Sequence, residues 1–149
     1  MKHIEIYTDG SCIRNPGPGG WAAILKYNDV EKMISGGSPK ATNNQMEMQA
    51  VISALKQLRY KCEVTVTADS QYVSNAFNKP WVYKWEKENN FRGRPNAELW
   101  RELIALTRIH KVEFKWIKGH AGHYYNELCD KEAQRQSRYY DTGEIHNES

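Results

Sequence analysis

The sequence predicts a single α/β domain built on a five-stranded mixed sheet, and three observations carry that reading. Apolar residues alternate with period two around Ile4–Ile6 and Val64–Ala68 and three further short stretches read as strands, stripes of period 3.6 lie between and after them, and the elements follow the order βββ-α-β-ααα-β-α. Three strands in succession make an antiparallel meander, and strands reached through helices extend it in parallel. The 149 residues fall within the size range of one domain. A content of 40% hydrophobic and 26% charged residues excludes a disordered polymer, and no run approaches the roughly 18 apolar residues of a membrane helix.

The first strand starts at His3, where Ile4 and Ile6 oppose His3, Glu5 and Tyr7, and it continues toward Cys12 with Asp9 on the Glu5 and Tyr7 face. The run Asn15-Pro16-Gly17-Pro18-Gly19-Gly20 predicts a turn, and Trp21–Tyr27 and Val30–Gly36 predict the next two strands. Thr42-x-x-Gln45 is a capping-box pattern ahead of a helix whose apolar stripe is Ala50, Val51, Ala54, Leu55 and Leu58. Glu63–Ala68 alternates again and stops at Asp69-Ser70, where a helix through Gln71–Phe77 can start. Trp81–Lys87 reads as helical; Asn89, Asn90, Gly93 and Pro95 interrupt; Leu99, Trp100, Leu103, Ile104, Leu106 and Thr107 restore the helical period. A last strand, Lys111–Ile117, meets the loop Lys118-Gly119-His120-Ala121-Gly122-His123 and then a helix from Tyr125 to Arg138. The folded domain is expected over residues 1–140, with a frayed polar tail over 141–149.

The start MKHIEIYTDG enters the first strand directly, without the basic and apolar regions of a signal peptide, so a cytoplasmic protein is expected. Cys12, Cys62 and Cys129 are odd in number and contain no C-x-x-C pair, which argues against a disulfide framework. Residues 1–78 hold 8 basic and 7 acidic groups, 79–118 hold 10 and 5, and 119–149 hold 3 and 6. The basic middle segment also carries Trp81, Tyr83, Trp85, Phe91 and Trp100, a mixture suited to a nucleic-acid backbone and its bases or sugars. A solvated basic face over a tryptophan-rich core explains the same composition.

Four carboxylates stand at positions that the local patterns turn inward or toward strand ends: Asp9, Glu47, Asp69 and Asp130. Glu47 is the clearest, because it lies in line with Ala50, Val51 and Ala54 and so faces the sheet. Buried carboxylates need a cationic partner, and no lysine or arginine in the strands serves all four. Divalent cations do, and an all-oxygen set suits magnesium or manganese. A rival zinc site of His120, His123 and Cys129 lacks a fourth ligand at a usual spacing.

Four runs carry a resemblance: Ile6-Tyr7-Thr8-Asp9-Gly10-Ser11, Thr42-Asn43-Asn44-Gln45-Met46-Glu47, Thr67-Ala68-Asp69-Ser70-Gln71, and Trp116-Ile117-Lys118-Gly119-His120-Ala121-Gly122-His123 through Asn126 to Asp130. In order and spacing they are similar to bacterial ribonuclease H of type 1, over about residues 3–138. The resemblance implies a ribonuclease H-like fold and an endonuclease that cuts the RNA strand of RNA–DNA hybrids. It puts the catalytic and metal-binding acids on Asp9, Glu47, Asp69 and Asp130, and a catalytic-loop histidine on His120. Two Mg2+ ions with substrate, or Mn2+ in their place, are the implied cofactors, and 5′-phosphate and 3′-hydroxyl ends the implied products. Asn15, Asn43, Asn44 and Gln71 correspond to contacts with the minor groove, where 2′-hydroxyls mark the RNA strand. Gly10, Ser11 and Cys12 correspond to backbone amides near the RNA, Lys40 and Thr42 to a phosphate pocket for the DNA strand, and Asn126 to a further contact.

Two departures from the family pattern are visible. Ala68 stands where a threonine is usual. The basic protrusion expected to hold the DNA strand falls on Trp81 to Asn96, where Lys84, Lys87, Arg92 and Arg94, with Trp81 as a further contact, are diluted by Glu86 and Glu88. A binding module of the same fold is expected to have lost one or more acids, whereas this chain keeps all four. Resolvase or integrase domains lack the T-N-N-x-M-E and K-G-H-A-G-H runs together. A monomer acting on hybrid, without membrane attachment, is the expected state.

Overall fold

The computed structural model describes residues 1–119 and 123–148, with side chains described as far as Asp141. Strands β1 (His3–Cys12), β2 (Gly17–Tyr27), β3 (Val30–Ala41), β4 (Glu63–Ala68) and β5 (Lys111–Trp116) form one sheet in the order β3-β2-β1-β4-β5. β1, β2 and β3 pair antiparallel, whereas β4 joins β1, and β5 joins β4, in parallel. This is the mixed sheet that the element order predicts.

The β2–β3 hairpin closes over two residues, with Tyr27 opposite Val30 and Asn28 in the left-handed region at φ 52°. Gly17–Gly20, predicted as turn, belong to β2, and β3 runs on to Ala41. Packing explains the difference. A Cβ on Gly20 would sit 2.1 Å from the Ala133 carbonyl oxygen of helix α5 (Tyr124–Glu148), so this glycine permits a helix to rest on bare strand backbone.

Helices α1 (Asn43–Lys56), α2 (Gln71–Asn78), α3 (Trp81–Asn89) and α4 (Ala97–Ile109) lie on one face of the sheet. Their core joins Ile6, Val64 and Val66 of the strands to Met48, Ile52, Leu55, Val73, Phe91, Trp100 and Leu103. Full burial of such side chains contributes about 1.5–3 kcal/mol each. α5 covers the other face through Ala22, Ile24, Cys129 and Ala133. It continues past Arg138 to Glu148, so residues expected as a frayed tail extend the helix; the stretch contains no proline to stop it.

α1 starts as predicted. Thr42 Oγ1 accepts from the Gln45 amide at 3.1 Å while Gln45 Oε1 accepts from the Thr42 amide at 3.0 Å, so the capping box is complete in both directions. Ser70 caps α2 by accepting from the Tyr72 amide at 3.2 Å. Both caps sit at the same end of the sheet, beside the C-terminal ends of β1 and β4.

Candidate active site

Asp9 near the end of β1, Glu47 in the second turn of α1 and Asp69 immediately after β4 come together, each offering a carboxylate oxygen within 4.8 Å of the others. Asp9 is 3% and Glu47 7% exposed. Gly10 makes this approach possible. A Cβ there would lie 2.5 Å from the Glu47 amide nitrogen, so α1 passes against β1 at backbone distance and Glu47 reaches Asp9. The Gly10 amide donates to Asp9 Oδ1 at 2.9 Å and to Glu47 Oε1 at 3.1 Å. In this structure the amide is turned to the two carboxylates.

Burial pushes the Asp9 carboxyl well above the usual carboxylate range, helped by repulsion from Glu47, Asp69 and Asp130 and by a hydrogen bond to Glu47. Glu47 is pushed up by burial and by Asp69, against the opposing hydrogen bonds from Asp9 and Gly10. Such a group of acids keeps its charge only when a cation offsets it. The donors are all oxygen and converge within one small volume, which fits a hard divalent ion and no soft-metal chemistry.

Asp130, half-buried on α5, acts on Asp9 electrostatically but stands outside the close trio, and both its oxygens accept from Gln134 Nε2 at 3.0–3.1 Å. His120 lies outside the described residues. Cys129 is fully buried, its Sγ donates to the Tyr7 carbonyl at 3.4 Å, and burial pushes its thiol up to about 12.

Around the trio, the Cys12 amide donates to Asn43 Oδ1 at 3.0 Å and the Asn43 amide to Asn15 Oδ1 at 3.1 Å. The loop after β1 is thereby tied to the start of α1, with exposed Asn15, Asn43 and Asn44 beside half-buried Ser11, Cys12 and Thr42. Lys40 is exposed at the end of β3, and Gln71 is exposed at the start of α2. Asn126 differs from expectation. It is 1% exposed, and its Nδ2 donates to the Thr67 carbonyl at 3.2 Å, fastening α5 to β4 rather than facing a groove.

The protrusion lies apart from the trio, on α3 and the loop after it. Trp81 is 43% exposed with Lys79 over its ring, and the Arg94 guanidinium stacks 3.9 Å from the centre of the Trp85 ring. Arg92 and Arg94 line a cleft of about 230 Å³ together with Glu88 and Gly93. Lys84 pairs with Glu88 at 3.8 Å. Glu86, expected to dilute the basic charge, is held at its carboxylate by both terminal nitrogens of Arg108 on α4. Trp116, given no site role by the sequence reading, stands in the last register position of β5, and its Nε1 donates to the Asp69 carbonyl at 2.8 Å.

A mixed sheet bearing a buried all-oxygen carboxylate trio at the ends of its central strands defines a hydrolase of the nuclease class. Residues 1–138 match the family described as RNase H. A ribonuclease H of Campylobacter concisus is 48% identical over 137 residues, covering 92% of this chain and 94% of its own. A ribonuclease HI of Haemophilus ducreyi is 47% identical over 138 residues, with 90% of each covered. Among solved structures, LC9-RNase H1, a type 1 RNase H with the type 2 active-site motif, superposes with a TM-score of 0.85 at 26% identity, covering 94% of this chain and 74% of its own. LC11-RNase H1 in complex with RNA/DNA hybrid shares the fold at a TM-score of 0.67 and 21% identity, covering 89% and 97%. The chain belongs to the RNase H family.

Proposed function

We propose that this ribonuclease H cleaves the RNA strand of RNA–DNA hybrids internally, leaving 5′-phosphate and 3′-hydroxyl ends, with Asp9, Glu47, Asp69 and Asp130 holding two divalent cations. The observation that carries the proposal is the buried trio, whose charges require a multivalent partner. Cations bound there supply Lewis-acid stabilisation of the phosphodiester and a readily ionised water. Asp9 and Glu47, both accepting from the Gly10 amide, would hold the cations together with Asp69 and Asp130. His120, in a glycine-flanked run, is the proton carrier.

Substrate choice rests on the exposed polar groups beside the trio. Asn15, Asn43, Asn44 and Gln71 meet the minor groove, where a 2′-hydroxyl donates and accepts, with Ser11 and Cys12 at the RNA backbone. Lys40 and the start of α1 at Thr42 take a phosphate of the DNA strand. Trp81, Lys84, Arg92 and Arg94 hold that strand further along. Magnesium is the working ion in this proposal, and a cytoplasmic monomer the working form; no described helix is long and apolar enough to cross a membrane. The test presents labelled hybrid, double-stranded RNA and double-stranded DNA with magnesium or with chelator. Only hybrid with magnesium should be cut, at internal RNA positions; cleavage under chelator, or of the all-deoxy duplex, refutes the proposal.

A further inference from the structure

We infer that Trp116 is a positioning residue for Asp69, acting through its indole N–H rather than through its ring; the inference rests on the reading of Asp69 as a metal ligand. β4 ends at Ala68, whose carbonyl accepts the last ladder bond, from the Ile117 amide at 2.9 Å. The Asp69 carbonyl lies one residue past that ladder. Trp116, in register with Ala68 on the neighbouring strand, fills the gap: Nε1 donates to the Asp69 carbonyl oxygen at 2.8 Å. One residue later Ser70 caps α2. The peptide that carries the Asp69 carboxylate is thus fixed between a cap on one side and an indole on the other.

The ring is a poor candidate for a packing role, because Trp116 is 42% exposed, whereas Trp100 is 1% exposed in the core. A half-exposed tryptophan whose polar atom is committed to the backbone of a metal-ligand residue resembles the outer partners that orient ligating side chains. Without the N–H, the carbonyl can turn to solvent and the Asp69 carboxylate loses its fixed direction toward Asp9 and Glu47.

The test compares the full-length wild type with Trp116→Phe, which keeps an aromatic ring and removes the donor, and with benzothienylalanine at position 116, which keeps the bicyclic shape and removes the donor. Mn2+ binding to the free enzyme is followed by electron paramagnetic resonance, and cleavage is measured across metal and hybrid concentrations. Both variants should bind Mn2+ about tenfold more weakly, the lower end of what an outer-shell partner provides. The melting temperature should stay near wild type, KM for hybrid should be unchanged, and kcat should recover at saturating metal. Wild-type Mn2+ affinity in a folded variant overturns the inference, as does a raised KM with unchanged metal affinity, which makes the ring a substrate contact. Asp69→Asn separates the two claims: if it retains wild-type Mn2+ binding, the reading of Asp69 as a ligand fails as well, and if it loses that binding while the position-116 variants do not, only the role of Trp116 fails.

Discussion

One methyl group added at Gly10 would stand 2.5 Å from the Glu47 amide nitrogen and 2.6 Å from the Met46 carbonyl carbon. Both are backbone atoms of α1, so no side-chain rotation relieves the clash. Ordinary contact begins at 3.4 Å, and the helix must therefore retreat by about 0.9 Å or β1 must bend by as much. Overpacking of this kind costs about 1–3 kcal/mol. At about 2–4 °C per kcal/mol for a chain of this size, Gly10→Ala should lower the melting temperature by about 2–12 °C. The same retreat carries Glu47 away from Asp9, and a misplacement near 1 Å at a reacting centre is worth about 10²-fold in rate. Cleavage is measured well below both melting temperatures, so that unfolding contributes nothing. Gly93→Ala serves as the control, since a Cβ there meets nothing within 4 Å and strains only a backbone at φ +78°; it should cost about 1 kcal/mol and leave kcat alone. A Gly10→Ala protein with wild-type stability and rate would refute the claim that backbone proximity positions the trio.

Asp9→Asn should abolish cleavage and yet raise the melting temperature of the metal-free protein near neutral pH, because it removes a carboxyl that burial and its acidic neighbours force to take up a proton on folding; calorimetry under chelator checks this, and a lowered melting temperature counts against it. Arg92→Ala combined with Arg94→Ala should raise KM with kcat unchanged and flatten the salt dependence of binding by about 1.8 in logarithmic slope, as two lost phosphate contacts require; a wild-type slope would remove both residues from the substrate. Buried His110 accepts the Cys62 amide hydrogen at Nδ1 over 3.1 Å, and burial lowers its pKa below the ordinary value. The unfolded chain therefore takes up a proton first as pH falls, so its contribution to stability is complete above about pH 6.5 and declines as pH drops toward the lowered native value. Melting curves from pH 8 to pH 5 should show a smaller acid loss in His110→Gln than in wild type.

Sequence patterns were legible where one force dominates. The capping box at Thr42 and Gln45 is local chemistry, and it formed as read. Glu47 could be turned inward from helical spacing alone, because its neighbours Ala50, Val51 and Ala54 leave it no polar face. Gly17–Gly20 were misread because glycine serves both turns and close approaches, and only the partner helix decides which. The role of Glu86 was hidden for a similar reason: its partner Arg108 is 22 residues away, beyond any helical spacing. Asn126 carries no local sign that its amide is aimed at the end of a strand 59 residues earlier. Trp116 went unread because an exposed aromatic on an edge strand has no pattern of its own until the strand beside it is known.

The seat of α5 on Gly20 bears on the one acid that stands apart. Ala133, whose carbonyl oxygen presses on the glycine, follows Asp130 by three residues and so lies about one helical turn beyond it. The helix rests there as a beam rests on a fulcrum, and Asp130 projects just beyond the point of support. Any side chain at position 20 would lift the beam and swing Asp130, while Asp9, Glu47 and Asp69 stayed where β1, α1 and β4 hold them. A residue on the far face of the sheet, with no atom in the site, thus sets the spacing between the fourth carboxylate and the other three.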